Sequence, residues 1–205
     1  MSATSDDSLP PYDGVKLSDV VLVKTAADAA AALAALAASD AVGFDTESKP
    51  TFAKGEESTG PHLVQLATDE RAWLFQIGAQ RDIAANGPSV APLLDVLRAV
   101  LESETILKVG FGLGDDLRRV RAKLGIEPRN VLDLSTALRR RGERNPLGAK
   151  TAVARFFGQE MQKSKRITTT NWALPRLSEK QILYAADDAH VSLRVYRRWR
   201  AQDAA

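Results

Sequence analysis

The chain contains no cysteine in its 205 residues. Disulfides, thiolate zinc sites and thiol nucleophiles are therefore excluded. Histidine is nearly as scarce, with only His62 and His190, too few for a histidine-rich metal centre. No run approaches the ~18 consecutive apolar residues that a membrane span needs. The opening Met1-Ser-Ala-Thr-Ser-Asp-Asp has neither the basic nor the apolar region of a secretory leader. No membrane association is expected, and a cytoplasmic location is the default. What remains is 44% hydrophobic, enough for a sizeable core in one large domain.

The net charge of +2 hides an asymmetry. Residues 1–117 hold 8 Lys/Arg against 18 Asp/Glu, whereas residues 118–205 hold 20 against 8. The basic excess falls in clusters around Arg118–Lys123, Arg139–Arg141, Lys163–Arg166 and Arg194–Arg200. Singly these read as solvated faces; brought together in space they would suit a polyanion.

Residues 1–18, with Pro10-Pro11 and little apolar periodicity, read as an N-terminal tail ahead of a single domain over residues 19–205. Val20 to Val23 forms a short strand, and Thr25-Ala-Ala-Asp28 a capping box that opens an Ala-rich helix to Ala38. The apolar run Ala41-Val-Gly-Phe-Asp45-Thr-Glu47 is then a buried strand ending in two acids. Residues two apart on a strand share a face, so their carboxylates stand side by side and repel. A divalent cation with oxygen ligands offsets such repulsion; pairing of one acid with a lysine and solvation of the other would also do so.

A Gly-, Pro- and Ser-rich loop follows from Lys49 to Pro61. His62–Ala67 and Arg71–Ile77 alternate about Thr68-Asp69-Glu70 as a hairpin, which implies a mixed sheet. A helix over residues 91–101 leads to a strand at residues 105–109. That strand ends in Gly110-Phe-Gly112-Leu-Gly114-Asp115-Asp116-Leu117. The spacing is G-x-G-x-G rather than the dinucleotide-binding G-x-G-x-x-G; the glycines instead allow a tight strand-to-helix turn with Asp115 and Asp116 in the first helical turn. Helical segments are expected at residues 113–124, 133–140 and 147–157, followed by a basic, hydroxyl-rich loop at 163–170. Ser178-Glu-Lys-Gln181 is a second capping box, opening a helix to Arg200 on which Tyr184 and Asp188, four apart, share a face.

Asp45-Thr-Glu47, Asp116 and Tyr184-Ala-Ala-Asp-Asp188, in that order, closely resemble the DEDD superfamily of 3′-to-5′ exonucleases, in its tyrosine-containing DEDDy branch. Leu63-Val-Gln-Leu-Ala67, Trp73-Leu-Phe75 and Thr170-Asn-Trp172 are similar to stations of the Werner-type exonuclease domain and the ribonuclease D catalytic domain. The likeness runs from Val20 to Arg198. In its register Asp116 and Asp188 are the ligands, and Asp115 and Asp187 are structural neighbours. Ser48-Lys49 departs from the apolar or aromatic residues that follow the Glu in relatives, which bears on base stacking and not on the acids.

The resemblance implies a ribonuclease H-like α/β fold, a mixed sheet flanked by helices on both sides. It further implies metal-dependent hydrolysis at the 3′ end of single-stranded or 3′-recessed DNA, with nucleoside 5′-monophosphates as products. Two divalent cations, Mg2+ or Mn2+, about 3.5–4 Å apart would serve the entering and leaving oxygens. Asp45 would bridge both, Glu47 and Asp188 would hold one, and Asp116 would support the other through water. Tyr184 would orient the attacking water, since a phenol ordinarily ionises near pH 10. Lys163, Lys165, Arg166 and Asn171 are candidate phosphate contacts, and Phe52 and Trp172 candidate base stackers, with a core role as the alternative for each ring. A ribonuclease D-like exoribonuclease is the alternative within the class. A noncatalytic nucleic-acid-binding module is the rival outside it, opposed by the presence of all five catalytic positions.

Overall fold

A computed structural model of the chain describes residues 8–52, 55–78, 87–162 and 165–203. Among the described residues six strands form one sheet: β1 (Val20–Val23), β2 (Ala41–Glu47), β3 (Leu63–Ala67), β4 (Ala72–Gln76), β5 (Leu107–Gly110) and β6 (Val131–Asp133). Their spatial order is β1-β4-β3-β2-β5-β6. The β3–β4 hairpin is antiparallel, β3 is antiparallel to β2, and the other neighbours are parallel. The sheet is mixed, as the hairpin required.

Seven helices follow the same chain order among the described residues: α1 (Ala26–Ala37), α2 (Gly87–Leu101), α3 (Gly114–Arg119), α4 (Leu134–Ala137), α5 (Ala149–Phe157), α6 (Lys165–Thr168) and α7 (Glu179–Asp203). A π-helical turn, Val120–Leu124, extends α3. Thr25 and Asp28 cap α1 reciprocally. At α7, Gln181 N–H donates to Ser178 Oγ at 3.3 Å, and Ser178 N–H to Gln181 Oε1 at 3.0 Å. Both boxes satisfy backbone donors that a helix start leaves open. The basic stretch expected as a loop contains the short α6, and the expected helix at 133–140 is reduced to the four residues of α4.

Strand alternation divides the core. Val42 and Phe44 of β2, with Val64, Leu66, Trp73 and Phe75, pack against α1, α2 and the α3 segment. Ala41 and Val109 on the opposite face meet α5 and the C-terminal half of α7. Leu63, Ala67 and Leu74 on that face meet Ala185, Ala186 and Ala189 of α7. Small α7 residues let the helix lie close to the sheet. A Cβ on Gly43 would stand 1.9 Å from the Ala189 carbonyl oxygen, so only glycine admits this approach.

Much of the sequence's charge asymmetry folds back on itself. Arg197 at the far end of α7 reaches both Asp40 oxygens at 2.6 and 2.8 Å and both Asp69 oxygens at 3.1 and 3.2 Å. Arg194 lies over both the Tyr12 and Phe157 rings, 5.2 and 5.1 Å from their centroids, and donates to the Asp13 carbonyl. Lys123 pairs with Glu57 and Arg129 with Glu104. Arg194, Arg197, Lys123 and Arg129 thus pair across the acidic and basic halves, which shrinks the footprint that composition suggested for a polyanion.

The segment before β1 is tied to the helices. Tyr12 N–H donates to Glu160 O at 2.9 Å, Glu160 N–H to Pro10 O at 2.8 Å, and Val15 N–H to Asp187 Oδ1 at 2.8 Å. Among the described residues no helix is long and apolar enough to cross a membrane.

Candidate active site

Asp45 and Glu47 leave the C-terminal end of β2 on the face that α7 covers. Asp188 comes down from α7 one residue before Ala189, whose carbonyl lies over Gly43. Carboxylate oxygens of Asp45, Glu47 and Asp188 lie within 4.8 Å of one another. Glu47 and Asp188 are buried, and Asp45 is half-buried. Three like charges at this separation suit a hard divalent cation, which prefers carboxylate oxygen.

Asp116 is not part of that trio. Thr46, between Asp45 and Glu47, points to the opposite face, where its Oγ1 hydrogen-bonds Asp116 Oδ1. Burial pushes the Asp116 carboxyl up from its ordinary value, opposed by the Thr46 hydroxyl and the charge of Arg119. Asp115 is different: its side chain is 65% exposed and pairs with Arg118 at 2.9 Å and Arg119 at 3.8 Å. The Arg118 guanidinium holds its carboxyl below the ordinary range. Asp133 Oδ1 and Oδ2 accept the N–H groups of Gly112 and Leu113 at 2.9 and 3.0 Å, fixing the turn that delivers Asp116. Gly112 adopts φ +68°, which explains glycine there.

Tyr184 sits one turn before Asp188 on α7. Its hydroxyl is 3.0 Å from Thr168 Oγ1 at the end of α6, and its ring lies tilted at 6.1 Å from that of Trp172. Trp172 is fully buried, and this corrects its assignment as a base stacker: its ring is spent on Tyr184 and the core. Phe52, by contrast, is 84% exposed in the loop after Glu47. Arg166 is exposed and lines a hollow of about 570 Å³ with Thr170, Ser178, Lys180 and Gln181. Asn171 is exposed, and its Oδ1 accepts Ala173 N–H at 3.0 Å. Lys163 lies outside the described residues, and Lys165 is described only as the first backbone position of α6.

Three further residues that border this site are not evident from sequence. Thr46 is hidden by its neighbours, although a hydroxyl between two acids on a strand must face the other way. His62 carries no motif of its own, yet its buried ring joins both ends of the loop carrying Phe52. Its Nδ1 accepts Lys49 N–H at 3.1 Å, and its Nε2 is 3.1 Å from Thr59 Oγ1. Gln65 stands opposite Asp45 in the β2–β3 register and is fully buried.

A family model described as a 3′-5′ exonuclease matches residues 20–202. The mouse bifunctional 3′-5′ exonuclease/ATP-dependent helicase WRN is 26% identical over 160 residues, covering 78% of this chain and 11% of that protein. A 3′-5′ exonuclease of Arabidopsis thaliana is 27% identical over 161 residues, covering 76% of this chain and 51% of its own. The chain thus spans about half or less of the length of these two relatives. The crystal structure of Trypanosoma brucei RNase D complexed with RNA U12 superposes with a TM-score of 0.72 at 19% identity, covering 87% of this chain and 61% of that one. That likeness concerns the fold, which is ribonuclease H-like. With the family model running over nearly the whole described chain, the chain belongs to the 3′-5′ exonuclease family of the DEDD superfamily, whose members use divalent metals.

Proposed function

We propose that this exonuclease removes nucleotides from the 3′ end of single-stranded or 3′-recessed DNA, releasing nucleoside 5′-monophosphates with two Mg2+ or Mn2+ ions. The convergence of Asp45, Glu47 and Asp188 carries this reading. These three would hold one cation, and Asp45 would hold the second with Asp116 supporting it through water. Bound divalent ions would supply a nucleophile at neutral pH and stabilise charge on the entering and leaving oxygens. Tyr184, steadied by Thr168 and Trp172, orients the water through its hydroxyl. A phenol that ordinarily ionises near pH 10 is unsuited to act as the base.

Phe52 offers an exposed ring in the loop after Glu47 for the terminal base, and stacking tolerates any base. Arg166, Lys163, Lys165 and Asn171 would contact phosphates, which position a strand without reading its sequence. The Werner-like Thr170-Asn-Trp172 station supports DNA. The RNA-bound RNase D neighbour supports a second reading, a 3′-5′ exoribonuclease.

Labelled DNA and RNA oligonucleotides of the same sequence, incubated side by side with Mg2+ or Mn2+, separate the two. Stepwise shortening of DNA from its 3′ end, with monophosphate products, is the expected outcome. Asp45→Asn should lose about 10³-fold in turnover, matching the several kcal/mol that a bound cation contributes, while still binding the oligonucleotide. Preferential trimming of RNA would overturn the DNA assignment, and equal rates with and without chelator would overturn the metal requirement.

A further inference from the structure

Gln65 is fully buried, yet neither its Nε2 nor its Oε1 has a hydrogen-bond partner among the described residues. An amide taken out of water without compensation is costly, so a buried glutamine with both polar ends unspent calls for an explanation. Its place in the sheet supplies one. Gln65 pairs with Asp45 across the β2–β3 ladder and with Leu74 across β3–β4. Residues opposite one another project to the same face, with Cβ atoms about 5 Å apart, a gap that the stem of a glutamine spans. On that face its strand neighbours Leu63 and Ala67, its partner Leu74, and Ala185, Ala186 and Ala189 above are all apolar. Polar groups that border this patch are those of Tyr184, packed against it, of Asp45, opposite Gln65 in the ladder, and of Asp188, next to Ala189; the carboxylates of Asp45 and Asp188 lie, with that of Glu47, within 4.8 Å of one another.

The geometry points to Gln65 as a positioning residue for the carboxylate trio: on cation binding its amide N–H group donates to Asp45, fixing which carboxylate oxygens face the metal. The inference rests on the proposed metal-dependent reading of that site. Carboxylate ligands are themselves commonly held by hydrogen bonds from outside the metal's own shell, and loss of such a partner weakens metal binding by about 10- to 100-fold. Retaining glutamine where leucine would pack more favourably is a sacrifice of stability for the site.

Gln65→Leu, of similar shape, tests this in the full chain. Without cation it should melt at or above the wild-type temperature, because an unpartnered amide has been removed. Its Mn2+ affinity, read by paramagnetic resonance or calorimetry, should fall about 10- to 100-fold, and turnover at fixed subsaturating Mn2+ should fall with it while KM for the oligonucleotide stays unchanged. Unaltered Mn2+ affinity in a folded Gln65→Leu protein overturns the inference. Should that variant fail to fold, an Mg2+ titration of the wild type followed by NMR decides. The Gln65 side-chain amide should shift with the same midpoint as the backbone amide of Asp188, and an unmoved side-chain amide overturns the proposal. A wild type that binds Mn2+ no better than Asp45→Asn sinks the metal-site reading itself, whereas a wild type that binds, with Gln65→Leu equal to it, sinks only the role of Gln65.

Discussion

Asp45 and Glu47 leave β2 on the face covered by α7, whereas Thr46 leaves on the other face and meets Asp116 from α3. One strand end therefore serves four acids in two different ways. The trio with Asp188 is gathered by packing at a distance. Gly43 lets α7 approach to backbone contact, the apolar residues Val191, Leu193 and Val195 hold the helix to the sheet, and Arg197 pins its far end. That docking must outweigh the mutual repulsion of three carboxylates. Asp116 is held by its own turn, through Asp133 and Gly112, and by one neutral donor, Thr46. Packing sets the trio; local hydrogen bonds set the fourth acid.

Gly43→Ala should produce the largest change on the packing side of this contrast. Its Cβ would sit 1.9 Å from the Ala189 carbonyl, so α7 must lift. Overpacking of this kind costs about 1–3 kcal/mol. Denaturant melting should show that loss, and Mn2+ affinity should fall at least tenfold as Asp188 withdraws. An unchanged Mn2+ affinity would mean that the trio does not depend on the close approach.

Thr46→Val acts on the other side. Removing a donor to a buried carboxylate costs about 1.5–3 kcal/mol, and the carboxyl of Asp116 rises further because the hydroxyl had held it down. Activity that needs ionised Asp116 should therefore lose its acidic limb at a higher pH than in the wild type, as a pH–rate profile would record. Cation binding at the trio at neutral pH should be little altered, and a parallel collapse there would erase the distinction between the two faces.

Asp40→Asn should have the smallest effect. Hydrogen bonds from Arg197 hold the Asp40 carboxyl below its ordinary value of 3.8. A folded pKa below the unfolded one contributes stability above the unfolded value and loses it as pH falls through the folded value. The Asp40 side chain is 75% exposed, so screening limits the loss at pH 7 to about 1 kcal/mol or less. The melting curves of variant and wild type should converge as the pH falls into acid, with Mn2+ affinity at neutral pH unchanged. A large loss of Mn2+ binding would show that the far anchor of α7, and not Gly43, governs the trio.

Elements with local signatures are legible in the sequence. The Thr25–Asp28 and Ser178–Gln181 boxes are built from residues three apart, and the Thr68–Arg71 hairpin from adjacent alternating runs. The apolar run ending in Asp45 and Glu47 reads as a strand and the segment after Ser178 as a helix carrying Asp188, and both elements are found. Trp172 is not legible as a core residue, because an aromatic beside a basic loop has the same sequence signature whether it stacks on a base or on Tyr184. The clustered arginines are equally ambiguous, since their partners Asp40, Asp69 and Asp13 lie far away in the chain.

The sequence by itself determined the sheet strands, the capped helices and the family, because caps, alternation and motif order act over a few residues. Only the tertiary structure decided that Asp45, Glu47 and Asp188 share one cluster while Asp116 is held by Thr46, that Trp172 packs against Tyr184, and that Gln65, opposite Asp45, has no hydrogen-bond partner among the described residues. Each of these depends on which strand faces meet which helix, a consequence of packing between segments as distant in the chain as those of Glu47 and Asp188.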